Sequence, residues 1–345
     1  MRSASLLEYL RSKYCVDVVS FSLRPHSKKL AARAWRNLRR LARGAAPLFE
    51  RYSGYEEQLR EQIGGRRYAL AVVEHFWCAS YEPLLREHCE RVILDLHNIE
   101  SELARGHARA VGWPSCWAAT RFAQIYRRLE GEWMPRFDLV LVASEEDRRR
   151  IQHIEARVYP NALPPTEPPE VEEEHCIAFS GNLEYHPNIA AVGWFAQAIW
   201  PRIRERDRAL EWRLIGKAPQ AVEGLVRGDE RVKLSGPVRD AIAEIGRAKV
   251  CVVPLLSGSG TRFKILEAWA AGRAVVSTSL GAEGLGARDG EHLLLADNPG
   301  KFAESVLALL SDAEARRRLG EAGRCRYREK FTWPAAWRNL EEAGI

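Results

Sequence analysis

From Lys249 to Leu285 the chain runs through four distinct patterns. An apolar run, Val250 to Leu256, is followed by a small-residue loop, Ser257 to Gly260. A helix-like segment then extends from about Thr261 to Ala271, and a second apolar run covers Ala274 to Thr278. Valine-rich runs of this length suit buried strands, and Gly272 stands where a helix would stop. Strand, glycine loop, helix and strand predict a βαβ unit whose loop faces the carboxyl end of the sheet, where such folds bind ligands. Similar runs at Tyr68–Val73, Arg91–Leu96, Asp138–Val142, Cys176–Ser180, Leu210–Gly216 and Val232–Gly236 predict further parallel strands with helices between them. Val16–Phe21 reads as a strand after an amphipathic helix over 1–13. Trp113–Phe137 reads as a long aromatic helix, and Ser144 as the cap of a helix with acids in its first turn. Pro160–Glu174, with five prolines, reads as an extended connection. After Lys301 three helices are expected, over Phe302–Leu310, Ala313–Leu319 and Ala322–Lys330. The fold class is α/β.

The glycine loop carries the most specific chemistry. Gly258 and Gly260 let backbone approach an anion closely, and the free N–H groups of a helix start favour negative charge. Arg262 and Lys264 stand just inside that start, where cations oppose the helix dipole unless an anion is bound. Glu267, three residues after Lys264, shares its helix face. Two cations and a carboxylate beside such a loop suit a diphosphate and a sugar hydroxyl pair. A tight turn with Lys264 and Glu267 as an ordinary surface pair explains the spacing equally well.

The segment resembles the donor site of family 4 glycosyltransferases, which have the two-domain GT-B fold. The matching branch is written G-x-G-T-R-x-K-x-L-E-A, here Gly258, Gly260, Thr261, Arg262, Lys264, Leu266, Glu267 and Ala268. The resemblance implies two Rossmann-like parallel-sheet domains facing each other across a cleft. They would comprise an acceptor-side domain over 1–160, a linker over 161–174, a nucleotide-sugar domain over 175–330, and a terminal helix over 331–345 crossing back. It also implies that Glu267 bonds the nucleotide ribose and that Arg262 and Lys264 neutralise the diphosphate. Ser259 occupies the place of a sugar-contacting Glu, leaving the sugar to backbone groups. The strand-end residues Gly181 and Gly216 and the loop residue Thr261 fall in the donor site. Pro237 and Val238 stand where the base would lie, and Glu283 where the loop nears the donor phosphates, although a turn-stabilising role suits Glu283 better. His97, in the segment DLHNIESE, corresponds to a position that donates to the transferred sugar or the leaving phosphate. A structural histidine paired with Asp95 or a carbonyl is the alternative. Glu100 and Glu102 are read as a helix start. Trp333, in the segment Phe331-Thr332-Trp333, is expected to pack between domains. Arg2-Ser3 match a pair that follows the glycine-rich loop of the first domain in relatives, so the first strand and that loop are expected to be missing and catalysis or folding impaired.

The 345 residues carry a net charge of +6, and the seven cysteines are scattered without a C-x-x-C pair. This argues against a disulfide framework or zinc site and for a reducing, cytoplasmic compartment. No apolar run is long enough to span a bilayer. Arg24–Arg43 holds eight Lys or Arg and no acid, with Leu30, Trp35, Leu38 and Leu41 interleaved. It reads as a basic amphipathic helix or helix pair, suited to an anionic surface of the inner membrane or to an ordinary solvated face. Nucleic acid ranks behind both, because no recognised nucleic-acid motif accompanies the stretch.

The function expected is a retaining, hexosyltransferase-type transfer from a nucleoside-diphosphate sugar to a saccharide or lipid-linked acceptor, in polysaccharide biosynthesis. No D-x-D motif occurs, so no metal or other cofactor is expected. The rivals are a nucleotide-sugar epimerase or phosphorylase of the same fold, a catalytically impaired nucleotide-binding partner protein, and a basic surface-binding protein.

Overall fold

The computed structural model describes residues 17–27, 29–110, 112–151, 153–257, 262–342 and 344. The chain divides into two compact units, Met1–Asp95 with Gln124–Asp138 and Leu96–Ala123 with Leu139–Ile345.

In the first unit, strand β1 (Tyr68–Glu74) pairs in parallel with β2 (Cys89–Leu96), Val72 standing opposite Ile93. The β-branched and leucine side chains of β2 at Val92, Ile93 and Leu94 are fully buried, as a strand covered on both faces requires. Asp138 fastens the strand: its carboxylate accepts from the Val92 N–H at 2.6 Å and pairs with Arg86 at 2.7 Å. These bonds hold the Asp138 carboxyl below its usual range despite partial burial. Phe49 packs between Phe76 and Trp133, with ring centroids 5.5 and 5.7 Å away.

The second unit holds β3 (Leu139–Val142) in parallel with β4 (Ala156–Val158), and a six-stranded sheet. The sheet is built from β5 (Glu174–Ser180), β6 (Glu211–Ile215), β7 (Val232–Ser235), β8 (Ala248–Val253), β9 (Ala274–Ser277) and β10 (Leu294–Leu295). All its pairings are parallel and the order is β10-β9-β8-β5-β6-β7. From β5 the chain steps outward through β6 to β7, returns to lay β8 against the other side of β5, and continues away to β10. Between β5 and β8 the connections therefore run in opposite senses, which opens a crevice at the strands' carboxyl ends. Trp212 on β6 and Trp269 on the helix before β9 are wholly buried, and Trp269 Nε1 donates to the His292 carbonyl at 3.1 Å. The segment after Pro160 lies extended along this unit, with Leu163 bridged to Thr332 and the Pro164 carbonyl accepting from Tyr327 Oη at 2.6 Å.

Several expectations change. The helix over 1–13 lies outside the described residues. Residues 17–27 form no strand; Val19 and Phe21 are exposed, and an apolar alternation without a neighbouring ladder leaves its backbone groups unpaired by any sheet. The basic stretch is a single helix over Leu30–Arg43 ending at a left-handed Gly44. The helix after β8 spans Phe263–Ala270, so Arg262 is its boundary residue rather than lying inside it. The two helices expected after residue 312 are one, Ala313–Lys330. Its glycines do not break it: a Cβ on Gly320 would overlap the Gly272 carbonyl oxygen, and one on Gly323 the Trp269 indole. Both glycines are there for close packing. Trp333 is 43% exposed and stacks on Trp337; Ala335 and Ala336 form the buried face of the Trp333–Glu341 helix.

Candidate functional site

Two glycines end the central strands. Gly181 follows β5 with φ +139° and Gly216 follows β6 with φ +145°, backbone conformations that side-chain-bearing residues rarely adopt. A Cβ on Gly216 would overlap the Gly181 carbonyl oxygen, and a Cβ on Gly181 would overlap Lys264 Nζ. Glycine at both places lets the strand ends touch each other and lets the lysine lie directly against backbone. The Gly181 N–H donates to the Ile215 carbonyl at 2.9 Å and the Leu183 N–H to the Lys217 carbonyl at 2.9 Å, tying the two ends together. Asn188 Nδ2 donates to the Asn182 carbonyl at 2.6 Å and fixes the loop between β5 and the helix that follows.

Lys264 and Glu267 project from the Phe263–Ala270 helix toward this edge. The Lys264 ammonium lies 5.0 Å from the centre of the Phe179 ring, a cation–π contact. It has no hydrogen-bonded or ion-paired partner among the described residues. Burial lowers its pKa to about 8; nearby Glu267 opposes the shift and Arg262 adds to it. Glu267 accepts a hydrogen bond from Ser180 Oγ at 3.0 Å, and burial pushes its carboxyl upward. The two residues do not form an ordinary surface pair: both are half-buried, and among the described residues no ion pair joins them. An ammonium that has lost water without gaining a counter-ion is poised for an anion.

Arg262 turns to a different set of partners. It is 5% exposed, and its guanidinium meets Glu283 at 3.5 Å. Burial lowers the Arg262 pKa, with Glu283 opposing. The other oxygen of Glu283 takes Arg150 at 2.6 Å, and Arg150 also pairs with Asp147 at 2.9 Å. Asp147 in turn bonds Ser144, whose hydroxyl caps the Glu145–Arg150 helix. These side chains line one pocket together with Asn98 and Glu102. Arg262 is thus the boundary between two polar clusters, one around Lys264 and one around Glu283.

The remaining residues fall as follows. Pro237 and Val238 follow β7; Pro237 is exposed and Val238 packs partly against the sheet's core. His97 follows β2 directly and is half-buried. Its neighbours Asn98, Ile99 and Glu102 line the Arg262 pocket, and His97 itself does not. Glu100 opens a helix, as expected. Gly258, Ser259, Gly260 and Thr261 lie outside the described residues. Sequence reasoning passed over Ser180, Asp147 and Arg150 as site residues. Ser180 carried a usable signal, as the hydroxyl residue immediately before the strand-end glycine; Arg150 sits in the run Arg148–Arg150, where nothing marks it out.

Residues 174–312 match the family described as Glycosyl transferases group 1. A Klebsiella pneumoniae protein described as an uncharacterized 44.6 kDa protein in the cps region is 24% identical over 139 residues. That alignment spans 38% of this chain and 36% of the relative, about a third of its length. Among solved structures, sucrose-phosphate synthase from Thermosynechococcus elongatus superposes with a TM-score of 0.68 at 20% identity, over 86% of this chain and 78% of that one. Anabaena Alr3699/HepE, solved with UDP and glucose, gives 0.62 at 14% identity over 97% and 88%. The UDP-forming α,α-trehalose-phosphate synthase of Burkholderia xenovorans gives 0.62 at 14% over 86% and 76%. The structural neighbours share the GT-B fold, and residues 174–312 carry the family match.

Proposed function

We propose that the protein is a retaining glycosyltransferase that moves a sugar from a nucleoside-diphosphate donor to a saccharide or lipid-linked acceptor, in the manner of family 4. The observation that carries this reading is the Lys264 ammonium lying against Gly181, at the carboxyl end of β5, with no ion-pair partner among the described residues and with Glu267 three residues further along the same helix. A diphosphate at this edge would supply Lys264 with a direct counter-charge. Glu267, held by Ser180, suits the ribose hydroxyls. As the sugar departs, negative charge grows on the diphosphate, and Lys264 with the adjoining helix start is preorganised to stabilise it. Arg262 would add to that field from its seat beside Glu283.

The finer assignments follow from the family resemblance. Pro237 and Val238 are proposed to border the base, Gly181, Gly216 and 258–261 the phosphates and sugar, and His97 to donate to the sugar or leaving group. UDP is the donor nucleotide favoured, because UDP is bound in the Anabaena HepE complex and in that of S. aureus TarM, which superposes with a TM-score of 0.63.

The test is product analysis with the full-length chain and labelled UDP-glucose or UDP-N-acetylglucosamine against mixed saccharide acceptors. The reading expects release of UDP together with a new glycoside whose anomeric configuration matches the donor. Isomerised donor without UDP release would point to an epimerase, and nucleotide binding with no turnover to a non-catalytic partner protein. Lys264→Ala is expected to lower turnover by roughly 10²-fold, the scale of a lost oxyanion donor. An unchanged rate would remove Lys264 from the leaving-group site.

A further inference from the structure

The Leu30–Arg43 helix is turned opposite to an ordinary surface helix. Leu30, Ala34, Leu38 and Leu41 recur at i, i+4, i+8 and i+11, with Ala31, Trp35 and Ala42 beside them, forming one apolar stripe. In a globular protein such a stripe faces the core. Here no residue of the helix is buried, and Leu30, Trp35 and Leu38 are 73%, 69% and 54% exposed. The side turned inward is the polar one. Arg40 is largely covered and donates to Glu50 at 2.8 Å, and Arg36 donates to the Ser27 carbonyl at 3.3 Å. Arg33, Arg39 and Arg43 are exposed, Arg39 and Arg43 along one border of the stripe and Arg33 along the other.

We propose that this helix lies in the plane of an anionic phospholipid surface, with Leu30, Trp35 and Leu38 among the acyl chains and Arg33, Arg39 and Arg43 on the headgroup phosphates. The charge distribution selects this occupant. Residues 24–43 hold eight cations and no acid, so the rest of the +6 chain carries a net negative charge and the cationic excess lies in this stretch. Trp35, at the border beside Arg39, has the apolar body and polar edge that suit the interface. Fourteen residues is too short to span a bilayer, and no helix among the described residues is long and apolar enough to do so. A second copy is a poor occupant, because joining two stripes would bring rows of arginine together with no acid in the stretch to neutralise them.

The experiment is vesicle flotation of the full-length chain, comparing phosphatidylcholine alone with phosphatidylcholine containing phosphatidylglycerol, at low and physiological salt. The chain is expected to float with the anionic vesicles and to stay behind with the neutral ones, and salt should weaken the binding. Trp35→Ser with Leu38→Ser, and separately Arg33→Gln with Arg39→Gln, should each lower apparent vesicle affinity by roughly tenfold or more, since every membrane-facing cation and apolar side chain adds to binding. All four positions are exposed, so melting temperatures should not move. Equal flotation on neutral and anionic vesicles, or variants that float like the parent, would overturn the proposal. So would RNA binding without flotation, or a dimer in solution abolished by the Trp35 and Leu38 changes. The outcome is independent of the sugar-transfer reading.

Discussion

Burying the Lys264 ammonium against Phe179 and Gly181 lowers its pKa to about 8 from an ordinary 10.5. Between those values the unfolded chain holds a proton that the folded chain has released, so stability rises with pH across that window. Below about 8 the folded state carries the full penalty of a buried cation. Lys264→Met should therefore melt higher than the parent at pH 7, the gap closing as pH approaches about 10. A variant that melts lower at pH 7 would mean that the ammonium is well paired in the folded chain. A bound diphosphate reverses the shift by restoring a counter-charge. UDP binding near pH 8 should then take up a proton, read as a difference between heats in two buffers of unlike ionisation enthalpy. Identical heats would place the diphosphate away from Lys264. Lys264 and Glu267 were legible in the sequence because they lie three apart on one predicted helix after a glycine loop. Arg150 was not, because its significance depends on Glu283, 133 positions away, and local pattern does not report such a pairing. Ser180 depends in the same way on Glu267, 87 positions away.

Elements were readable where one kind of residue dominated. The valine and leucine runs of β2, β3 and β8 are buried on both faces and need no alternation to be recognised. The reading failed where a residue served packing rather than local conformation. Gly320 reads as a break between helices, yet it lies within Ala313–Lys330, where it admits the Gly272 backbone as Gly323 admits the Trp269 ring. Gly320→Ala removes a weak helix former and by local propensity alone would stabilise the helix by about 1 kcal/mol. Because its Cβ would overlap backbone at Gly272, it is expected instead to destabilise by about 1–3 kcal/mol. Chemical denaturation distinguishes the two signs. Gly216→Ala should cost more than Gly320→Ala, adding a strained φ of +145° to a collision with the Gly181 carbonyl, and it should weaken nucleotide binding along with stability.

At the scale of the molecule, the α/β class with parallel sheets was legible from the regular exchange of apolar runs and helical segments. The strand order was not, because nothing local says that β8 returns to the far side of β5. That return opens the crevice at the ends of β5 and β8, where Ser180 and Gly181 meet the helix bearing Lys264 and Glu267. Charge is also organised at this scale, with the cationic excess gathered in residues 24–43 and the Lys264 site built from half-buried groups. Salt should therefore weaken a surface contact of the Leu30–Arg43 helix more than nucleotide binding, since burial limits screening.

Calorimetric titration of UDP into the full-length parent, Lys264→Ala and Glu267→Ala is the most direct measurement. The parent should bind, and each variant should lose roughly tenfold or more in affinity while keeping the parent's far-ultraviolet circular dichroism. Unchanged affinity in both variants, with the parent binding UDP, would contradict a nucleoside diphosphate at the ends of β5 and β8.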